Sequence, residues 1–187
     1  MAKTDMWQSP FASLVADFPQ GLDEVGFPAQ INLRGNPDDA DFRAGIEKAV
    51  GVALPLKANT VSSKKESKIL WLGPDEWLVV STKPVAALLK NLHKALEGQH
   101  TSCADVTANR VILQISGPHI HDILMKTSNM DFHPRVFGPG RVAQTMLAKA
   151  PAIFEQVTED SFHLYLRNSF ARYCAEWLMD AFAEYEA

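Results

Sequence analysis

The chain has 187 residues, 47% apolar and 21% charged, a balance that gives a core of its own without staples. A net charge of -4 and a pI near 5.8 give no reason to look for a nucleic-acid or anionic-membrane partner. Cys103 and Cys174, far apart and without C-x-x-C spacing, fit a reducing compartment better than a disulfide framework, and no apolar run approaches the ~20 residues of a membrane-spanning helix.

The opening, MAKTDMWQSPFASL, has no apolar signal stretch, so the expectation is a cytoplasmic protein. Trp7, Phe11, Leu14 and Phe18 have approximate helical spacing, but Pro10, Pro19, Gly21 and Gly26 break it. Residues 1–26 therefore read as an arm that packs on its own body or on a neighbour.

From residue 27 a unit begins that occurs twice. In AQINLRGNPDD, Ile31 and Leu33 alternate with polar residues until Gly35-Asn36-Pro37 stops the strand. A helix is expected from about Asp38, with Phe42, Ile46, Ala49 and Val50 on one face, ending near Gly51 ahead of Leu54-Pro55. Lys64, Lys65 and Lys68 fit a solvated loop. KILWLG and EWLVVS then read as two strands joined by Gly73-Pro74-Asp75-Glu76.

Asp75 and Glu76 lie between Trp71 and Trp77 and so resemble a catalytic acid pair. Proline and aspartate are turn residues here, and neighbours in extended chain point to opposite sides, so the turn is the better reading. Paired glycosidase carboxylates face each other across a sugar and come from separate elements. Both flanking strands are apolar on both faces and must be covered on both. Helices cover one face; the other meets the second half, the arm or another protein. KPVAALLKNLHKALEG follows as a helix with Val85, Leu88, Leu89, Leu92 and Leu96 in one stripe and Gly98 as its stop.

The second unit repeats this order. RVILQIS alternates through Val111, Leu113 and Ile115, Gly117-Pro118 breaks it, and a helix carries Ile120, Ile123 and Leu124. RVAQTMLAKAPAIFEQV, a turn at Thr158-Glu159-Asp160, and SFHLYLR read as strands. The last helix places Phe170, Tyr173, Cys174, Trp177, Ala181 and Tyr185 in one stripe. Asp75-Glu76-Trp77-Leu78 aligns with Asp160-Ser161-Phe162-His163 at an offset of 85. The expected fold is α+β: two pseudo-repeated β-α-β-β-α units, halves about 27–99 and 100–187, forming one pseudo-twofold domain with mostly antiparallel sheets and helices on one face.

Little in this sequence assembles chemistry. His119 and His121 lie about 200° apart around a helix and cannot share an ion, and nothing near His133 completes a zinc set. Cys174 falls on an apolar stripe, Cys103 in a strand near Asp105, and no nucleophile elbow is present. Ser116-Gly117-Pro118 reads as a helix cap. Phe137-Gly138-Pro139-Gly140-Arg141 leads into a strand, whereas a phosphate loop leads into a helix. Arg135 and Arg141 flank that loop and Arg110 opens a strand; arginine forks suit carboxylates, on a small acid or on a partner. Trp7, Phe11, Phe132 and Phe137 lie outside the periodic stripes, as core or as interface aromatics.

The ordered motifs SPFASL, INLRGNPDDADF, GVALPLKANTV, LWLGPDEWLVV, CADVTANRVILQISGP and MDFHPRVFGPGRVAQTMLAKAPAIFEQVTEDSFHLYLRNSFARYCAEWL resemble the gamma subunit of heterotetrameric sarcosine oxidase, over about residues 8–185. The resemblance implies a fold similar to the folate-binding domain of the glycine-cleavage aminomethyltransferase. It implies alpha, beta and delta partner subunits in an enzyme that oxidatively demethylates sarcosine to glycine, with tetrahydrofolate accepting the one-carbon unit. FAD, FMN, NAD and folate are then expected in the alpha and beta chains and zinc in delta, with no cofactor, metal or catalytic residue in this chain. Candidate partner contacts are Trp7, Phe11, Phe132, Arg135, Phe137 and Arg141. The alternative is a free-standing tetrahydrofolate-binding or one-carbon-transfer protein, with a pocket between the halves near Asp105, Arg110 or Trp77.

Overall fold

The computed structural model describes residues 8–185. The first half contains β2 (Ala29–Arg34), α1 (Ala40–Val50), β3 (Val61–Lys64), β4 (Ser67–Gly73), β5 (Glu76–Ser81), α2 (Val85–Ala95) and β6 (Ser102–Asp105). The second contains β7 (Arg110–Ser116), α3 (Ile120–Thr127), β8 (Val142–Leu147), β9 (Ala150–Thr158), β10 (Ser161–Arg167) and α4 (Ala171–Ala183). A short β1 (Leu22–Glu24) precedes both. The strands form two antiparallel sheets, ordered β3-β4-β5-β2-β6 and β8-β9-β10-β7-β1. These orders correspond strand for strand across the two halves.

Local chemistry sets the element ends. Asp39 caps α1 by accepting from the backbone N–H groups of Asp41 and Phe42, and Gly51 ends it at a φ of 87°. Pro74 and Asp75 form the tip of the β4–β5 hairpin, whose register shifts between Trp71 and Gly73. Gly45 lets α1 and α2 cross closely, because a Cβ there would lie 3.0 Å from the Ala95 carbonyl oxygen.

Each sheet carries its helix pair on its outer face, and the inner faces meet. Phe42, Ile46, Leu88 and Leu92 cover Ile31, Leu33, Trp77 and Val79. In the second half Ile123, Leu124, Cys174, Leu178 and Phe182 cover Leu113, Phe154, Phe162 and Leu164. Leu70, Leu72, Leu78 and Val80 of one sheet form a third core with Ile112, Val142, Ile153 and Tyr165 of the other. The second apolar face of β4 and β5 is thus covered by the other half of the same chain.

The segment at 8–26 belongs to this body. Phe11 is fully buried in the second-half core, and β1 pairs along β7 from Leu22↔Ile115 to Glu24↔Leu113. Trp7 lies outside the described residues.

The stripe expected on the last helix needs a correction in phase. The buried face of α4 is Ala171, Cys174, Ala175, Leu178, Ala181 and Phe182, whereas Phe170 and Trp177 stand 38% and 42% exposed. The helix is apolar on several sides, so the pattern does not fix its rotation. The alanines turn inward because small residues let it approach its neighbours closely. Among the described residues no helix is long and apolar enough to cross a membrane.

Candidate functional site between the sheets

Strand alternation and register arrange the inner face of the second sheet in rows. The middle row is Ile112, Tyr165, Ile153 and Gln144; on one side of it lie Gln114, His163, Glu155 and Val142, and on the other Arg110 faces Arg167. Two polar groups therefore flank an apolar belt.

The first group is buried. Lys68 reaches across from β4, its Nζ 2.6 Å from Glu155 Oε2, and the Tyr165 hydroxyl donates to the same oxygen at 2.5 Å. Lys68 Nζ also lies 3.0 Å from His163 Nδ1, whose other ring nitrogen is 3.3 Å from Gln114 Oε1. Lys68 and Glu155 side chains are only 18% and 6% exposed. Lys68 is therefore no solvated loop residue, as the lysine cluster in the sequence had implied. It supplies the opposite charge that a buried carboxylate requires.

Burial, reinforced by the Lys68 ammonium and opposed by Glu155, lowers the His163 pKa to about 4. The imidazole is neutral at pH 7, Nδ1 accepts from Lys68, and the 3.7 Å approach to Glu155 is not an ion pair at that pH. Burial first, then Glu155, raises the Tyr165 pKa well above its ordinary value, so the phenol remains a donor. A cavity of about 280 Å³ reaches Lys68 and His163 past Val25, Pro28 and Ser67.

This cluster makes stability depend on acid. An unfolded His163 takes up its proton below pH 6.5 while the folded one resists to about 4, so stability falls between those values as pH drops. The loss attributable to this residue is up to about 3 kcal/mol. Urea titrations at pH 7, 5.5 and 4.5 should show that slope, and His163→Gln should flatten it.

The second polar group lies at the opposite end of the layer. Arg110 and Arg167 share a cavity of about 290 Å³ with Gln144, Met146, Pro151, Ile153 and Tyr165. The former acid pair ends in two places: Asp75 pairs with exposed Arg34 at 3.0 Å, while Glu76 accepts from Asn32 Nδ2 at 2.7 Å. Both partners lie two residues apart on β2, so each carboxylate is held by its own side chain of that strand and the two do not converge on a common point.

The other sequence candidates disperse. Phe132 and Phe137 are 3% and 2% exposed, and their rings pack on Phe154 and Phe162 at 4.9 to 6.1 Å. Together with Phe11 they are core side chains rather than contact side chains: the apolar second half consumes them. What they leave in solvent is the loop tip between them, with Arg135, already a sequence candidate, beside the 59%-exposed Val136, which was not one. Arg141 sits at the seam where the sheets join, its backbone bridged to Thr60. His119 stacks on Tyr185 and His121 meets the edge of Phe162; among the described residues no group of three or more His, Cys, Asp or Glu could hold a metal ion. Burial raises the Cys103 and Cys174 thiols to about 11 and about 12, which leaves both unreactive at neutral pH. Asp105 is exposed and caps its own turn at Thr107 N–H.

Two sheets packed face to face under outer helices, joined by a buried lysine–glutamate pair, define a doubled α+β module. The same fold occurs in glycine cleavage system aminomethyltransferase T from Bartonella henselae, at a TM-score of 0.67 and 18% identity over 89% of this chain and 46% of that one. Within that fold the chain belongs to the sarcosine oxidase gamma subunit family, whose model matches residues 34–184. It is 34% identical to sarcosine oxidase subunit gamma of Corynebacterium sp. (strain P-1), over 97% of this chain and 93% of the relative. The Arthrobacter sp. subunit gamma is 33% identical over the same shares. A chain of the heterotetrameric sarcosine oxidase from Corynebacterium sp. U-96, solved with pyrrole 2-carboxylate, superposes at a TM-score of 0.89 with 34% identity and 97% of each chain covered.

Proposed function

We propose that this chain is a non-catalytic gamma subunit that docks on the alpha and beta chains of a heterotetrameric sarcosine oxidase, alongside delta, and supports their assembly. That enzyme would oxidatively demethylate sarcosine to glycine in the cytoplasm and pass the one-carbon unit to tetrahydrofolate. FAD, FMN, NAD and folate would sit in alpha and beta and zinc in delta. The carrying observation is the end-to-end likeness to a chain of a solved heterotetramer.

Two physical features support the reading. The buried Lys68, Glu155, Tyr165 and His163 satisfy one another, which suits a scaffold, and the loop held down by Phe132 and Phe137 presents Arg135 and Val136 outward. An arginine beside an apolar side chain on an anchored loop is the composition of an interface centre. Co-expression with the two large chains, one of them tagged, should bring this chain through purification in constant ratio. Arg135→Glu with Val136→Asp should weaken that association by about tenfold or more. A fully active complex separated cleanly from this chain would overturn the reading; an unchanged complex mass for the double variant would remove the loop tip from the contact.

A further inference from the structure

Arg110 and Arg167 are direct register partners on antiparallel β7 and β10, so their side chains leave the sheet side by side on the inner face. Like charges placed opposite each other repel, and burial together with Arg167 lowers the Arg110 pKa while Glu76 opposes that fall. Among the described residues neither guanidinium has an acidic partner within 4 Å: Asp75 is taken by Arg34, and Glu76 is held by Asn32. At the other end of the same layer Lys68 has its Glu155. Here Glu76 acts on Arg110 without pairing with it, and the cavity of about 290 Å³ beside the two arginines is walled by Met146, Pro151, Ile153 and Tyr165.

We propose that Arg110 and Arg167 form a binding site for a small organic acid, gripping its carboxylate while its apolar body lies against Met146, Pro151 and Ile153. The planar forks match a carboxylate's two oxygens. The added negative charge relieves the repulsion between the two guanidiniums. The walls are apolar except for Gln144 and Thr145, which selects an acid with a hydrocarbon or aromatic body over a bare inorganic anion. The site is built from this chain's own residues and does not rest on the proposed function.

The test uses the full chain with ¹³C-labelled methionine methyls, benzoate as probe and benzamide as its uncharged counterpart. Benzoate should shift the Met146 methyl saturably and leave Met125 and Met179 in place. Arg110→Gln and Arg167→Gln should each weaken that titration about tenfold or more, with the other methionine signals unchanged. If benzamide moves Met146 as far as benzoate, or both variants titrate like the parent, the site is overturned; the benzamide comparison needs no variant to fold. In a complex with the large chains, benzoate should still reach Met146. A Met146 shielded there would overturn the free acid as occupant and reassign the arginines to an acidic side chain of a partner.

Discussion

Glu155→Ala should lower the free energy of unfolding by about 3–5 kcal/mol, the range for breaking a buried ion pair by removing one member. Its carboxylate accepts from Lys68 across the gap between the sheets and from Tyr165 on the neighbouring strand, so its loss leaves an ammonium enclosed without a counter-charge and a phenol without an acceptor. Lys68 can lean toward solvent only through its 18% exposed side chain, and its other neighbour, neutral His163, gives a hydrogen bond but no charge. The combination Lys68→Met, Glu155→Leu and Tyr165→Phe should recover most of the loss, because replacing all the partners removes the desolvation cost along with the attraction. Urea denaturation at pH 7 decides the matter. A Glu155→Ala midpoint equal to that of the parent would mean that the cluster is hydrated and does not join the sheets.

Why this cluster escapes the sequence is instructive. Lys68 is 87 residues from Glu155 and 95 from His163. Each is a lone ionisable residue in a strand, and read singly each looks like a solvent-facing position. A usable signal lies in AIFEQV, where Glu155 is flanked by residues apolar on both faces: a strand covered on both sides buries whatever polar residue it carries, and that residue then needs a partner. The helix start near Asp38, the Gly51 stop and the 85-residue offset were legible because turn chemistry and periodicity are local. The rotation of α4 was not, since only contact with α3 and the second sheet decides which of its apolar sides is inward. The loop aromatics misled for the same reason. Phe132 and Phe137 fit no stripe because they lie on a loop, yet the loop folds back and spends them on the core. The arginine pair was half visible: Arg110 stood out, but Arg167 joins it only through the β7–β10 register.

Trp77→Ala should cost about 3–5 kcal/mol, the range for truncating a large buried aromatic. The side chain is fully buried, its ring lies 5.9 Å from that of Phe42, and its Nε1 donates to the Pro55 carbonyl at 2.9 Å. That bond ties the connection between α1 and β3 down onto the sheet. The 85-residue offset gives its counterpart as Phe162, which packs on Phe132 and Phe137 and so pins the corresponding connection between α3 and β8. One aromatic position thus holds the long loop of each half, by a hydrogen bond in the first and by ring packing in the second. Trp77→Phe separates the two contributions: it retains much of the ring contact but strands the Pro55 carbonyl, and should cost about 1–3 kcal/mol. Leu70, Leu78 and Val80 join the first sheet to Ile112, Ile153 and Tyr165, so damage at Trp77 cannot stay within its own half. Fluorescence and circular dichroism should therefore report one shared transition shifted to lower urea. Two separate transitions in Trp77→Ala, with the second half melting as in the parent, would show that the inner layer does not couple the halves.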